Sequence, residues 1–126
     1  MTFTNILLVG IGGFLGSVAR YLSSISIDQR LNSTFPFGTF TVNLAGAFVL
    51  GLIYGWASKF TSDSSEVKLF LITGFCGGFT TFSTFAFENF DLVANRMAAT
   101  SIIYSLSSLV LGVVLVWIGI WITRQM

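Results

Sequence analysis

The chain has 126 residues, of which 54% are hydrophobic and 9% charged, and its mean hydropathy is +0.87. Soluble domains carry about 25% charged residues, so this chain lacks the polar surface that a water-facing fold needs. Six basic and five acidic residues give a net charge of +1, which excludes a basic nucleic-acid-binding surface. With no histidine and one cysteine, Cys76, the composition also excludes most zinc sites, a catalytic histidine relay and an internal disulfide. A membrane protein is predicted.

Four apolar segments follow one another along the chain. A helix that crosses the hydrocarbon core needs about 20 residues, because each residue adds roughly 1.5 Å to a path of roughly 30 Å. Polar segments at 28–36, 59–68 and 88–96 separate the apolar ones. The sequence therefore predicts an all-α membrane protein, a single four-helix domain over residues 1–126 with spans at 3–27, 37–57, 69–87 and 98–123.

The positive charges give almost no preference for one orientation in the membrane. With four spans, both termini and segment 59–68 lie on one side, and the other two connecting segments lie opposite. Lys and Arg divide three against three, with Lys59, Lys68 and Arg124 on the first side and Arg20, Arg30 and Arg96 on the second. Two interpretations stay open. Either the chain inserts both ways and two opposed copies pair about an axis in the membrane plane, or a weak bias selects one orientation.

Glycine pairs predict close packing between the helices. Three pairs have the four-residue spacing that lets helix backbones approach one another: Gly12 with Gly16, Gly51 with Gly55, and Gly74 with Gly78. Glycine is frequent in membrane helices, and 13 glycines produce some such pairs by chance. The pattern therefore predicts tight packing without identifying a surface for a second copy.

The third span is not typical of a simple membrane anchor. Residues 73–88 read Thr-Gly-Phe-Cys-Gly-Gly-Phe-Thr-Thr-Phe-Ser-Thr-Phe-Ala-Phe-Glu. Gly77 and Gly78, followed by β-branched threonines, predict a local break in the helix. Unwound backbone at membrane depth is tolerated only inside protein or along a wet cavity, and the carbonyls that it frees can bind a small hard cation.

Phenylalanines and hydroxyl residues interleave in the same segment. Four phenylalanines recur at intervals of four and three, which predicts one aromatic face on a helix: Phe75, Phe79, Phe82 and Phe85. The interleaved hydroxyls are those of Thr80, Thr81, Ser83 and Thr84. An aromatic face alone is more often core or lipid-facing surface than a site. The hydroxyls favour a site, because they donate hydrogen bonds while ring edges present positive potential to an anion.

Polar side chains also occur within the second and fourth spans. They are expected to have hydrogen-bond partners or a function there, because an unpaired amide in hydrocarbon costs free energy. They are Asn43, flanked by Thr39 and Thr41, and Tyr104, Ser105, Ser107 and Ser108. One interpretation makes them hydrogen bonds between helices, and the other makes them the lining of an ion pathway. Arg20 also has two interpretations: its side chain extends to the membrane interface, or it attracts anions to a vestibule.

Acidic residues are absent from the middle of every span. Glu88 and Asp91 lie at the end of the third span, where interface hydration makes a carboxylate ordinary. A cation pathway favours rings of Asp or Glu, whereas neutral donors suit a small anion that must enter and leave quickly. The residues therefore indicate a pathway for a small anion.

The sequence resembles the Fluc (CrcB) family of fluoride channels over nearly its whole length. In the first two helices the resemblance rests on Gly12, Gly13, Gly16 and Arg20, and then on Gly38, Thr39, Val42, Asn43 and Gly46. In the third it rests on the string Gly-Phe-Cys-Gly-Gly-Phe-Thr-Thr-Phe-Ser-Thr-Phe over residues 74–85, followed by Glu88. This third string is long and unusual, and it is the most specific of the three.

The resemblance implies an assembly and an activity. Members of the family are small four-helix subunits that pair as antiparallel, dual-topology homodimers, here expected in a bacterial-type plasma (inner) membrane. They pass fluoride passively down its gradient and so lower its toxicity. A central structural Na⁺ is held by backbone carbonyls at the third-helix break, at positions that match Gly77 and Thr80. Neither an organic cofactor, a nucleic-acid partner nor an enzymatic activity is expected.

The resemblance also implies which residues meet the anion. Phe82 and Phe85 match the family's pore phenylalanines, and Asn43 matches its pore asparagine. The other expected pathway residues carry hydroxyls: Thr39, Ser83, Thr84, Tyr104 and Ser108. Arg20 and Glu88 are expected at a vestibule or in a structural role. The chain departs from some relatives at Gly112, where they have a hydroxyl.

Two other classes of membrane protein fit part of the pattern. A small multidrug or cation exporter also has four spans and dual topology, but proton-coupled export needs an acid within a helix, which these spans lack. An accessory subunit of a larger complex would use the polar and aromatic residues for packing alone. An intramembrane enzyme fits least, since the apolar stretches contain no His, acid pair or Ser-Lys pair.

Overall fold

Every regular element in the described part of the chain is helical. The computed structural model describes residues 2–59 and 65–126. The helices are α1 (Phe3–Leu31), α2 (Phe37–Ala57), α3 (65–79), α4 (Phe82–Ala94) and α5 (Ala98–Gln125). Four segments are long and apolar enough to cross a membrane, namely α1, α2, α3 together with α4, and α5. This confirms the predicted all-α class with four spans, the architecture that lets backbone groups in lipid bond internally.

The connection between α1 and α2 is shorter than the sequence predicts, because α1 continues to Leu31. It ends at Asn32, whose φ of 40° is left-handed and whose amide donates to the Asp28 carbonyl at 2.9 Å. The Asp28 side chain then accepts a hydrogen bond from the Gly38 amide at 2.7 Å. Asp28 thereby satisfies an amide in the first turn of α2, where Pro36 makes no side-chain cap.

The third span contains the predicted break, at the threonines that follow the glycine pair. α3 is α-helical over Ser65–Lys68, π-helical over Leu69–Cys76 and α-helical again over Gly77–Phe79. Thr80, with ψ 157°, and Thr81, with φ −147° and ψ 121°, are then extended before α4 begins. β-Branched side chains favour extended backbone, so these threonines hold the unwound segment while both glycines stay helical.

The break makes one sequence prediction wrong: the four phenylalanines do not share a helical face. Phe75 and Phe79 stack in α3, with ring centroids 5.8 Å apart and an interplanar angle of 8°. Phe82 and Phe85 form a separate pair in α4, with centroids 6.0 Å apart. Two extended residues lie between the pairs. The intervals of three and four residues therefore no longer place the two pairs on one helical face.

The third span also extends further than its apolar residues indicate. Segment 88–96 is predicted as a loop, but α4 continues to Ala94. The polar residues at this end have partners inside the bundle, since Glu88 accepts hydrogen bonds from Thr39 and Tyr104. Hydropathy shows where the apolar residues end. The helical backbone hydrogen bonds can continue beyond that point when the polar side chains find hydrogen-bond partners in the protein.

Glycines bring the helices together in two pairs, α1 with α3 and α2 with α5. A Cβ atom on Gly16 would collide with the Phe75 carbonyl, and one on Gly12 with the Phe70 carbonyl. In the second pair, a Cβ atom on Gly51 would collide with the Val116 carbonyl. The predicted tight packing at these glycines is confirmed, because the facing backbones leave space for a hydrogen atom alone.

Gly16→Ala is expected to destabilise the folded protein, because the new methyl group would meet backbone atoms that cannot rotate away. Overpacking of this kind costs about 1–3 kcal/mol, so the unfolding temperature in detergent should fall by several degrees. Gly10→Ala is the matched control on the same helix, since a Cβ there has nothing within 4 Å. Equal unfolding temperatures for the two variants would contradict the assigned packing.

Candidate functional site

An open pocket of about 320 Å³ lies beside the break in the third span. α2, the break, α4 and α5 all contribute to its wall. The lining residues are Asn43, Thr80, Thr81, Phe82, Phe85, Ser105, Ser108 and Leu109. None of them carries a charge, so any ion in this pocket would be stabilised by dipoles, hydrogen-bond donors and ring edges.

Asn43 holds the extended backbone of the break in place. Its Nδ2 donates to the Thr81 carbonyl at 3.1 Å, and the Thr81 amide donates to its Oδ1 at 2.8 Å. This pairing replaces the two backbone partners that Thr81 would have in a continuous helix. An asparagine amide carries two hydrogens, so one remains for a ligand in the pocket that Asn43 lines.

The Thr81 hydroxyl caps the N-terminal end of α4. It accepts a hydrogen bond from the Thr84 amide at 3.3 Å, donates to Thr84 Oγ1 at 3.1 Å, and lies 3.4 Å from Ser83 Oγ. Thr81 is therefore the N-cap of α4. Ser83 and Thr84, predicted as pathway residues, belong to this capping group and do not line the pocket.

Arg20 binds the end of the helical segment that precedes the break. Its Nε donates to the Gly78 carbonyl at 3.1 Å, and Ser17 Oγ lies 3.5 Å from the same oxygen. A cation beside the last carbonyls of a helix is favourable, because these oxygens have no amide partner and carry the negative end of the helix dipole. Neither sequence interpretation of Arg20 included this contact.

Two other carbonyls at the break lose the amide partner of a continuous helix. The Thr81 amide, which would bond the Gly77 carbonyl, donates to Asn43 Oδ1 instead. The Thr84 amide, which would bond the Thr80 carbonyl, donates to the Thr81 hydroxyl. Within residues 2–59 and 65–126, no cluster of three or more His, Cys, Asp or Glu could hold a metal ion. The Gly77 and Thr80 carbonyl oxygens thus lack the amide partners that a continuous helix would supply.

The two phenylalanines of α4 differ in exposure and in neighbours. The Phe85 ring packs against Tyr104 with centroids 4.9 Å apart, and Tyr104 is fully buried. Phe82 is 79% exposed in the single chain although it lines the pocket. A large aromatic side chain so exposed beside a polar pocket is suited to contact a second molecule or a passing ligand.

Glu88 lies in a hydrogen-bonded cluster behind Phe85. Thr39 Oγ1 donates to one carboxylate oxygen at 2.6 Å, and the Tyr104 hydroxyl donates to the other at 2.7 Å. Glu88 is half-buried, and a protein hydroxyl donates to each of its carboxylate oxygens, contacts that the sequence did not identify. Thr39 and Tyr104 meet at this carboxylate and not at the pocket, and their hydroxyl hydrogens are used there.

Ser108 lines the pocket and differs from its neighbours in the hydrogen bonding of its hydroxyl. Its Oγ is buried and has no hydrogen-bond partner in the part of the chain that the structure describes. A buried hydroxyl without a partner costs free energy. Ser108 is one of the expected pathway residues, and Thr81 and Ser105 are among the candidate hydroxyls of the sequence, whereas Leu109, which has no polar group, is not. The helical spacing of Ser105 and Ser108 places both on one side of α5.

These features define a multi-pass membrane protein with an uncharged, donor-lined pocket at a broken helix. The chain belongs to the CrcB family: the model of that family, described as "CrcB-like protein, Camphor Resistance (CrcB)", matches residues 7–120. A relative from Flavobacterium psychrophilum named "Fluoride-specific ion channel FluC" is 40% identical over 97% of this chain and 98% of its own length. One of the same name from Chlorobium luteolum is 46% identical over 92% and 89%. These relatives are ion channels by name, not enzymes.

Proposed function

We propose that this protein is a passive, fluoride-selective channel that lowers the fluoride concentration in the cytoplasm. The observation that carries the proposal is the pocket at the break. It is lined by Asn43, which has one amide hydrogen beyond its bond to Thr81, by Ser108, whose buried hydroxyl has no partner in residues 2–59 and 65–126, and by two phenylalanine rings, and none of its lining residues is acidic. The names of the relatives support fluoride as the ion.

The chemistry of the pocket fits a small, strongly hydrated anion. Moving an unpaired ion out of water costs tens of kcal/mol, so hydrogen-bond donors and ring edges must replace most of the lost hydration. Neutral donors accomplish this without binding so tightly that the ion cannot leave. Asn43 and Ser108 would donate to fluoride, while Phe82 and Phe85 would limit the width of the path.

The conducting unit would be an antiparallel homodimer in the plasma membrane. Three observations support this assembly: apart from Arg20, which binds within the bundle, Lys and Arg divide three against two between the two sides, the pocket is open, and Phe82 is 79% exposed in the single chain. A second copy would cover Phe82 and complete the wall that one chain leaves open. The hydrogen bonds described above would then hold the wall of the path in place. They involve Thr39, Ser83, Thr84, Tyr104, Arg20 and Glu88.

Gly77 and Thr80 would hold a structural Na⁺ through their carbonyls. The argument is one of fit: the amides that normally bond these two oxygens are occupied by Asn43 and Thr81. The neighbouring Gly78 carbonyl is occupied by Arg20 and is unsuited to a cation. Two copies together supply four oxygens, and a hard cation bound there would stabilise the paired breaks.

Removal of Na⁺ is expected to lower the unfolding temperature of the purified protein. A ligand that binds only the folded state at about 100 times its dissociation constant adds about 2.7 kcal/mol, which corresponds to several degrees. The measurement compares unfolding in NaCl with unfolding in N-methylglucamine chloride at equal ionic strength. Identical unfolding temperatures across a wide range of Na⁺ concentration would contradict the site.

Fluoride efflux from proteoliposomes tests the function itself. Vesicles loaded with potassium fluoride or potassium chloride receive a potassium carrier, and the released anion is followed with an ion-selective electrode. The channel is expected to release fluoride rapidly and to retain chloride. Vesicles that remain sealed to both ions, or that release both equally, would refute the proposed function.

A further inference from the structure

Asn89 connects α4 to α5 through three hydrogen bonds. Its Nδ2 donates to the Phe85 carbonyl at 2.9 Å, and its Oδ1 accepts from Ser101 Oγ at 2.7 Å and from Ser105 Oγ at 2.8 Å. Ser101 is buried, at 7% exposure, and lies away from the pocket, whereas Ser105 lines it beside Ser108. Asn89 therefore contacts the pocket wall without lining the pocket.

The chemistry of the partners determines the direction of each hydrogen bond. A backbone carbonyl only accepts, so the NH₂ group of Asn89 must face Phe85 and its oxygen must face the two serines. An amide oxygen only accepts as well, so both serines must donate to it. Each serine hydroxyl has one hydrogen, and that of Ser105 points to Asn89 and away from the pocket.

The serines of α5 therefore differ in what they offer an anion. Ser107 donates to the Ile103 carbonyl at 2.6 Å, and Ser105 donates to Asn89. Ser108 alone among these three has a hydroxyl without a partner in residues 2–59 and 65–126. Toward the pocket, Ser105 presents oxygen lone pairs, which repel an anion instead of binding it.

We propose that Asn89 is a positioning residue that keeps anion binding in the pocket weak by holding the Ser105 hydroxyl hydrogen. The proposal rests on the proposed function. If Asn89 were absent, Ser105 could rotate and donate together with Ser108, three residues further along α5. A second donor to a charged ion strengthens binding by about tenfold, and a channel site that binds too tightly conducts slowly.

Asn89→Leu tests the proposal, because leucine is similar in shape and has no polar atoms. We expect maximal fluoride efflux per folded protein to fall by about tenfold, with half-saturation at a lower fluoride concentration. Adding Ser105→Ala should restore both quantities, since it removes the released donor. Adding Ser101→Ala should not restore them, although Ser101 loses the same partner.

The variants also separate positioning from simple packing. If Asn89 only fastens α4 to α5, N89L lowers the unfolding temperature without changing the half-saturating concentration, or S101A and S105A restore efflux equally. Either result overturns the proposal. If N89L does not fold, single variants decide: a loss of efflux in S108A that is several-fold larger than in S105A supports the proposal, and equal losses overturn it. Equal losses in S105A and S108A would leave the proposed channel function intact. That function is refuted only if vesicles with the wild-type protein do not release fluoride.

Discussion

Replacing Asn43 with alanine is expected to reduce fluoride efflux by at least about 100-fold, because two separate contributions are lost. The free amide hydrogen no longer reaches the ion, and a hydrogen bond to a charged group contributes about 1.5–3 kcal/mol. The Thr81 amide and carbonyl also lose their partners, so the extended backbone at the pocket is no longer fixed. The measurement is the initial rate of efflux from proteoliposomes, normalised to reconstituted protein.

Thr41→Val is the matched control for this variant. Thr41 lies on the same helix, two residues from Asn43, but it is exposed and does not line the pocket. Its substitution should leave the efflux rate within about twofold of wild type, in the range expected of surface changes. Normal efflux from N43A vesicles, with protein that elutes as wild type does in gel filtration, would remove Asn43 from the pathway.

Phe82→Ile is expected to reduce fluoride efflux by at least about tenfold while leaving stability almost unchanged. The ring lines the pocket but is 79% exposed in the single chain, so little packing within the chain is lost with it. Isoleucine removes the ring edge that offers positive potential to the anion, and because it is smaller than phenylalanine it also widens the path. In protein that elutes at the wild-type position in gel filtration, a change in efflux would therefore report on the ring and not on folding or assembly.

Phe90→Ile provides the comparison, since Phe90 is 70% exposed on the same helix and does not line the pocket. Its efflux should match wild type. Fluoride and chloride efflux should both be recorded for the two variants, because a wider path is expected to admit some chloride. Equal efflux from F82I and wild type, with chloride still retained, would show that the ring has no part in conduction.

Several features of this protein follow from residue types alone. The four spans and the absence of acidic residues from their middle were predictable, because lipid accepts only long apolar helices whose backbone groups bond internally. The break in the third span was also predictable near Gly77, since glycines and β-branched threonines are poor helix formers. Its position at Thr80 and Thr81 was not, because it depends on Asn43 as a substitute partner for the backbone.

The partners of other polar side chains were not predictable for the same physical reason. Arg20 was expected at the interface, at a vestibule or in a structural role, and it binds the Gly78 carbonyl, 58 residues away in the chain. Glu88 was expected at the hydrated end of the third span, at a vestibule or in a structural role, and it accepts hydrogen bonds from hydroxyls on α2 and α5. A polar side chain in a bundle bonds whichever complementary group the folded chain brings near, and spacing along one helix does not identify that group.

The amino-acid sequence alone determined which groups could stabilise an anion. They are hydroxyls, one central carboxamide and the edges of phenylalanine rings, with no acidic residue in the middle of a span. Which of those donors stay available was decided by folding. Tyr104 and Thr39 donate their hydrogens to Glu88, and Ser105 donates its hydrogen to Asn89, while the Ser108 hydroxyl has no partner among residues 2–59 and 65–126. A hydroxyl has a single hydrogen, so its chemistry depends on which acceptor lies within reach, and that is a property of three-dimensional packing.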